Sequence, residues 1–292
     1  MKPAPFVYHA PRDLEEALAV LAEVGHDGKV LAGGQSLVPL LSMRLASPAH
    51  VVDINTITEL AYVRVEEDVV RVGALARHAQ VERDEPAAVA QPLLREALRQ
   101  VAHPVVRNRG TTLGSIVHAD PAAEMPAVLA LLDGEIEVAS TEGRRVITAA
   151  DLFLGPLESS LRPDELAIEA RFPVARPGEG SAFVEVARRH GDYAVCGVGV
   201  VVIGGPDGVV QRARAAYVSV AGTPQCLDLT KVLLGQPLDG GWTTVDPLVY
   251  ERVRPDGDIH ASADYRRHLA VVLTRQALAT AARRARRPRA AA

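Results

Sequence analysis

The chain has 292 residues, 48% of them hydrophobic and 23% charged, with a formal net charge of −4. That length accommodates two domains and a sizeable core, and the slightly acidic balance excludes the basic footprint of a nucleic-acid binder. The two cysteines, Cys196 and Cys226, are too few for an iron–sulfur cluster, which takes about four thiolates, and they make no disulfide framework.

The start, Met1-Lys2-Pro3-Ala4-Pro5-Phe6, lacks the apolar core of a secretory signal. Asp13 then opens a predicted helix with Leu14, Leu18 and Leu21 on one face. Lys29 to Ala32 reads as a strand, Leu37 to Leu41 as the start of a helix, and Val51 to Ile54 as a second strand, which together make a small α/β unit. Tyr62–Val65 and Val69–Val72 alternate across Glu66-Glu67-Asp68 as a hairpin. Ala87 to Ala102 has helical character. Ile136–Val138 and Arg145–Ile147 predict another hairpin across Thr141-Glu142-Gly143. The Pro- and Gly-rich stretch Pro173 to Gly180 marks a boundary. Strands follow near Ser181–Ala187, Ala194–Ile203 and Val209–Val220, with Asp207-Gly208 turning the last pair. After Thr223-Pro224 the chain is predicted helical, ending with Ser262 to Arg286. The basic tail of Arg283, Arg284, Arg286, Arg287 and Arg289 reads as a solvated helix end or a contact for an acidic surface. The apolar run from Tyr193 to Gly205 is too short to span a bilayer and is broken by glycine. A cytoplasmic protein with no membrane span is expected. Cys196 lies in that run and reads as a buried small hydrophobe. The nine histidines show no paired metal-ligand spacing, so no metal site is expected.

Two segments carry chemistry. The first is Val30-Leu31-Ala32-Gly33-Gly34-Gln35-Ser36-Leu37, an apolar strand that turns through adjacent glycines into a helix. Glycine lets backbone amides approach a ligand that a Cβ would hold away, and amides at such a turn suit a pyrophosphate. An ordinary strand-to-helix turn is the other reading. The spacing is not that of a Rossmann site. The second is Arg107-Asn108-Arg109-Gly110-Thr111-Thr112-Leu113-Gly114-Ser115, continuing as Ile116-Val117-His118-Ala119-Asp120-Pro121-Ala122-Ala123-Glu124. Glycines, hydroxyls and ionisable groups are crowded here beyond the needs of a plain strand or helix. A loop using Gly and Asp-Pro as turns is the alternative.

Together these segments resemble the flavin loops of the FAD-binding medium subunit of the molybdenum hydroxylases, the carbon monoxide dehydrogenase and xanthine dehydrogenase family. Ala32 to Leu37 matches the first loop. Arg107 to Glu124 matches the second, with Leu113 standing where the family usually has the first of two glycines. Arg188-Arg189-His190-Gly191-Asp192-Tyr193-Ala194 and Ala263-Asp264-Tyr265-Arg266-Arg267-His268-Leu269 resemble two further family signatures, so the likeness covers nearly the whole chain.

The resemblance implies an α+β fold. A two-subdomain FAD-binding domain of the vanillyl-alcohol-oxidase/PCMH type would span 1–176, with subdomains of about 1–55 and 56–176. A C-terminal domain over 177–292 would hold a three-stranded antiparallel sheet and helices. It implies noncovalent FAD held by Val30 to Leu37 and by Thr111, Thr112, Leu113, Gly114 and Ser115. Glu124 would bond a ribityl or ribose hydroxyl, and Asp120 would either do likewise or fix its own turn. Leu166 and Ala102 match backbone contacts, although Leu166 reads equally as a core leucine. Asp192 and Tyr193 would come from the following domain, with Tyr193 flanking the isoalloxazine unless it is a buried structural tyrosine. His78 and His118 read as structural, and no catalytic side chain is expected. The implied function is electron transfer from [2Fe–2S] clusters of a small partner subunit, through FAD, to an external acceptor. A large partner would carry the molybdopterin cofactor, in a dimer of heterotrimers. Two competing readings are a stand-alone FAD oxidoreductase of the vanillyl-alcohol-oxidase class and a non-catalytic scaffold without FAD. The first needs a substrate-binding domain for which the C-terminal segment is small.

Overall fold

The structure is a computed structural model and describes residues 2–286. Arg287 and Arg289 of the basic tail lie outside the described residues.

The first unit holds β1 (Val7–His9), α1 (Leu14–Val24), β2 (Gly28–Leu31), α2 (Leu37–Met43) and β3 (His50–Asp53). Its strands form a parallel sheet in the order β1-β3-β2. The Asp13 side chain accepts from the Glu16 amide at 2.8 Å, capping α1 as the sequence predicts. Leu18 and Leu21 are buried beneath it. The sequence analysis misses β1, because three residues at a sheet edge are too few to show alternation.

The second unit begins with the predicted hairpin of β4 (Val63–Val65) and β5 (Val69–Gly73). Helices α3 (His78–Arg83), α4 (Glu85–Ala90), α5 (Pro92–Gln100), α6 (Pro104–Arg107), α7 (Thr112–His118) and α8 (Glu124–Leu131) follow. Then come the second predicted hairpin, β6 (Glu135–Ser140) with β7 (Gly143–Thr148), and a short α9 (Ala149–Leu152). A small hairpin of β8 (Phe153–Gly155) and β9 (Glu158–Ser159) precedes β10 (Leu166–Pro173). The five-stranded antiparallel sheet has the order β4-β5-β10-β6-β7, with β10 at its centre. The helix expected over 87–102 is two helices. Pro92 disfavours helical geometry in the residue before it, so Gln91 is extended (φ −139°, ψ 87°), and its side chain donates to the Pro173 carbonyl at 2.9 Å.

The third unit is a sheet in the order β11 (Glu179–Ala187), β12 (Ala194–Gly204), β13 (Val210–Val218), β14 (Gln225–Asp228). The expectation of three strands is one short. Residues 225–228 form a fourth strand at the edge before the helices begin, four residues that carry no periodic signal of their own. Helices α10 (Thr230–Leu233), α11 (Asp246–Arg252) and α12 (Ala263–Ala285) complete the chain. Ser262 caps α12 by accepting from the Tyr265 amide at 3.2 Å. The buried face of α12 lies across β11 and β12, while α5 and α8 pack on the sheet's other face. Burial on both faces explains why β12 is apolar throughout. Arg284 departs from the expected solvated helix end: it reaches the Ser181 carbonyl at 2.5 Å and pairs with Glu96.

The outer face of the five-stranded sheet is held by Glu169 on β10. It accepts from Tyr62 Oη at 2.7 Å, Arg71 at 2.8 Å and Arg171 at 2.5 Å. Burial alone would raise its pKa, but the hydrogen bonds from Arg171 and Tyr62 and the charges of Arg71 and Arg171 hold it below the usual carboxylate range. Its stabilisation is therefore complete above pH about 4.3 and is lost as pH falls through the lowered folded value. Glu169→Gln is expected to cost about 2 kcal/mol at neutral pH, with the gap to the parent closing in acid. Urea unfolding across pH checks both the size and the convergence.

Candidate functional site

The first Gly-rich segment leaves β2 at Leu31, whose carbonyl accepts from the Ile54 amide at 3.1 Å. Asn55 Nδ2 donates to the Ala32 carbonyl at 2.8 Å. Gly34 is left-handed (φ 73°), and its carbonyl accepts from Val38 at 3.0 Å as α2 starts. Ser36 precedes α2 with no cap hydrogen bond from its side chain. Gln35 donates back to Gly33 at 3.3 Å. A cavity of about 400 Å³ opens here, lined by Leu31 to Gln35 together with Asp53, Asn55 and Arg109.

The second segment meets the first at Gly33. A Cβ on Gly33 would lie 2.6 Å from the Arg109 carbonyl oxygen, 2.7 Å from Gly110 Cα and 2.9 Å from the Thr111 nitrogen. Only a residue without a Cβ permits this backbone-to-backbone approach. Arg77 braces it, donating to Arg109 O and to Asn55 Oδ1, each at 2.6 Å. Beneath Gly110 lies the His78 ring, whose other contact is Thr112 Oγ1 at 3.2 Å. Burial first, and the Arg107 charge second, push His78 down to about 4, so it is a neutral structural residue at neutral pH.

From Thr112 to His118 the second segment is helix, and 119–123 is a turn. Thr111 Oγ1 accepts from the Gly114 amide at 3.2 Å and caps α7. The Thr112 and Leu113 side chains are buried, Leu113 at 2% exposure. The departure at Leu113 therefore puts a side chain into the core and none over the outer face, where Gly114 is exposed.

The remaining residues singled out in the sequence lie in three further places. Ala102 is left-handed (φ 43°), and Arg107 holds it by donating to the Val101 and Ala102 carbonyls at 2.9 and 3.0 Å and to Glu82 at 2.9 Å. Gly191 (φ 84°) lies against the His103 ring, at 2.5 Å from where its Cβ would be. Asp192 accepts from Arg189 at 3.2 Å and so braces its own loop. Tyr193 is 69% exposed, which removes the reading of a buried structural tyrosine. Its hydroxyl pKa is raised by desolvation and by Asp120 and Glu124. Because the ring is largely exposed, the nearness of those two carboxyls is the informative part. Asp120 fixes its own turn through the Ala122 amide at 2.9 Å. Glu124, in the first turn of α8, is 7% exposed and is raised to about 7, chiefly by burial and further by Asp120. Leu166 is a core leucine of β10.

Asn55 and Arg77, which bond the Ala32 and Arg109 carbonyls and each other, leave no motif in the sequence, and Arg107, although it opens the second segment, shows there no sign of its bonds to the Val101 and Ala102 carbonyls and to Glu82. Sequence reasoning also missed Glu185. That carboxyl lies on β11 near Glu124, with Oε2 buried and without a hydrogen-bond partner. Burial first and Glu124 second raise it to about 8. Its signal was present: a charged residue on the same strand face as Phe183, inside the apolar run Phe183 to Ala187. Of the six non-glycine residues described as left-handed, Ala102, Ala119, Leu157 and Ser219 all border this region, as stored strain at functional sites does.

Two families match in tandem: the FAD binding domain in molybdopterin dehydrogenase over residues 4–175, and the CO dehydrogenase flavoprotein C-terminal domain over 181–281. The chain belongs to the FAD-binding medium subunits of the molybdenum hydroxylases. It is 43% identical to the caffeine dehydrogenase subunit beta of Pseudomonas sp. strain CBB1, over 97% of both chains. It is 35% identical to the carbon monoxide dehydrogenase medium chain of Afipia carboxidovorans, over 98% of this chain and 100% of that one. The structure of quinoline 2-oxidoreductase from Pseudomonas putida 86 matches with a TM-score of 0.91 at 35% identity, covering 98% of this chain and 99% of that one. The chain is thus an oxidoreductase subunit whose cofactor is FAD.

The residues present fit that cofactor. The joined Gly-rich backbones border an open cavity, Tyr193 is an exposed aromatic face, and Glu124 is a buried carboxyl that accepts from no other side chain among the described hydrogen bonds. Among the described residues, no group of three or more His, Cys, Asp or Glu side chains is placed to hold a metal.

Gly33→Val would force its side chain into the Arg109–Thr111 backbone. The purified variant is expected to lose most of its FAD, read as flavin absorbance per chain, with a far-UV circular dichroism spectrum close to the parent's. A second expectation concerns Glu185. Between the ordinary carboxylate range and its raised value of about 8, the folded chain holds more protons than the unfolded one, so stability falls as pH rises. Glu185→Gln should therefore be the more stable chain by about 1–2 kcal/mol at alkaline pH and equal to the parent in acid. Denaturant titration of the FAD-free proteins at the two extremes measures it.

Proposed function

We propose that this chain is the electron-transfer flavoprotein subunit of a molybdenum hydroxylase complex. Electrons from [2Fe–2S] clusters in a small partner subunit pass through its FAD to an external acceptor. A large partner subunit carries the molybdopterin cofactor and hydroxylates the substrate. The assembly is a cytoplasmic dimer of heterotrimers. The observation that carries this reading is the atomic contact of the two Gly-rich segments at Gly33 beside an open cavity. The cysteine content supports the division of labour, since Cys196 and Cys226 cannot ligate a cluster. Burial pushes their thiols up to about 12 and about 11. No helix among the described residues is long and apolar enough to cross a membrane.

In this reading residues 1–176 form the FAD-binding unit, with subdomains near 1–55 and 56–176, and residues 177–292 form the wall that closes on it. FAD, when bound, accepts electrons singly and releases them in pairs. Within the FAD-contacting stretch Val30 to Leu37, Gly33, Gly34, Gln35 and Ser36 hold the pyrophosphate together with Thr111, Gly114 and Ser115. Thr112 and Leu113 contribute through backbone alone, since their side chains are buried. Glu124 bonds a ribityl or ribose hydroxyl, and its pKa of about 7 lets it donate or accept near neutrality. Asp120 adds its second oxygen. Ala102 and Leu166 offer backbone groups to the flavin and adenine ends. Asp192 braces the loop that presents Tyr193 to the isoalloxazine.

The purified chain is expected to carry a single FAD that acid precipitation releases into the supernatant. Alone, it should oxidise no purine, aldehyde or carbon monoxide. Co-expressed with cluster and molybdopterin partners, it should yield a complex with flavin and iron–sulfur absorbance. Bleaching of the flavin by an organic substrate in the isolated, metal-free chain would sink this reading in favour of the stand-alone oxidoreductase.

A further inference from the structure

Ser219, the first residue after β13, is left-handed (φ 61°) although it is not glycine. A non-glycine residue keeps that conformation only where its surroundings over-determine it, and three hydrogen bonds do so here. Its amide donates to the Pro121 carbonyl at 2.9 Å, between Asp120 and Glu124. Its hydroxyl donates to the Ala194 carbonyl at 2.7 Å, one residue past Tyr193. Its own carbonyl accepts from Arg266 Nη1 at 2.8 Å. The same Nη1 donates to Val195 O at 3.0 Å, and Nη2 donates to Asp258 at 2.6 Å. Asp258 in turn accepts from the His260 and Ala261 amides, just before the cap of α12. Arg266 is 7% exposed.

This line of bonds runs from the start of α12 to both sides of the carboxyl-bearing region around Tyr193. It reaches the Tyr193 strand in the C-terminal unit and the Asp120–Glu124 turn in the FAD-binding unit. A planar guanidinium spans two carbonyls and a carboxylate together, which a lysine ammonium cannot do in the same geometry. Arg266 opens the buried face of α12, which continues through Leu269, Leu273, Ala277 and Ala281.

We propose that Arg266 and Ser219 are positioning residues for the flavin ring, fixing Tyr193 relative to the Asp120–Glu124 turn. This rests on the reading above that Tyr193 covers the isoalloxazine. Arg266 belongs to the Tyr-Arg signature of the C-terminal helix, and the bonds give that signature a physical task.

The test uses the full chain assembled with its partners and loaded with FAD, in four forms: parent, Arg266→Lys, Ser219→Ala and Tyr193→Ala. The readouts are the flavin absorption spectrum, its reduction potential and the rate at which reduced flavin reacts with oxygen. Amide hydrogen exchange over residues 192–195 and 219–221 is followed in the FAD-free chain. Tyr193→Ala is expected to shift the spectrum and raise the oxygen rate several-fold. Arg266→Lys and Ser219→Ala should move the same readouts in the same direction by less, with FAD content near the parent's and exchange faster in those two segments. Should Arg266→Lys fail to fold, Ser219→Ala carries the comparison, because it deletes one hydroxyl and no charge. Faster exchange with an unchanged spectrum, potential and oxygen rate, while Tyr193→Ala still shifts them, would reduce the clamp to a purely structural one. Silence of Tyr193→Ala itself would overturn the placement of Tyr193 and, with it, the role of the clamp.

Discussion

The approach of the Gly33 backbone to the Arg109–Thr111 backbone is the constraint on which the rest depends. It brings a turn from a parallel three-stranded sheet into atomic contact with a turn beside an antiparallel five-stranded one. Everything nearby serves that approach. Asn55 and Arg77 tie the two turns through carbonyl oxygens, and the neutral His78 ring floors Gly110. If these two turns hold the pyrophosphate as proposed, the cradle needs no Gly-x-Gly-x-x-Gly, because neither turn supplies the full set of amides alone. The cradle is organised by the protein's own hydrogen bonds, so little ordering remains to be done when a ligand arrives.

The region around Tyr193 is organised differently. Where the phosphate side is satisfied and closely packed, the side beneath Tyr193 gathers Asp120, Glu124 and Glu185 with few partners between them. Burial raises the pKa of both Glu124 and Glu185, and the Glu124 charge raises that of Glu185 further. Such an arrangement is unfavourable for the empty chain and leaves donors and acceptors free for hydroxyl groups. In the proposed reading the binding region divides into a closely packed half that fits phosphates and a carboxyl-bearing half that meets the sugar and ring end of the cofactor.

The sequence revealed those features that depend on local chemistry. Asp13 and Ser262 cap the helices assigned to them, both hairpins fall where alternation and turn residues place them, and β12 is buried on both faces as its apolar run requires. The Gly-rich segments stood out by composition, and Tyr193 by the resemblance of its segment to a family signature. What stayed hidden depends on partners distant in the chain. Val7–His9 and Gln225–Asp228 are strands only because a neighbour completes them. Residues 112–118 are helical because Thr111 caps them, although their Gly and Ser content argues for a loop. Arg77 and Arg266 act on carbonyl oxygens 32 and 71 residues away in the chain, and no spacing rule announces an arginine bonded to backbone.

Leu113 shows what a motif letter stands for. A glycine in a family pattern is usually taken as a demand for an absent side chain, yet this position faces the interior, and an isobutyl group there adds to the core. The position next to it, Gly114, is the one exposed at the surface. Patterns written as letters would score both positions alike and reject this chain at the harmless one. Weighting each position by the direction in which its Cβ would point separates substitutions that block a ligand from those that merely fill space. On that scale this chain departs from its family less than its spelling suggests.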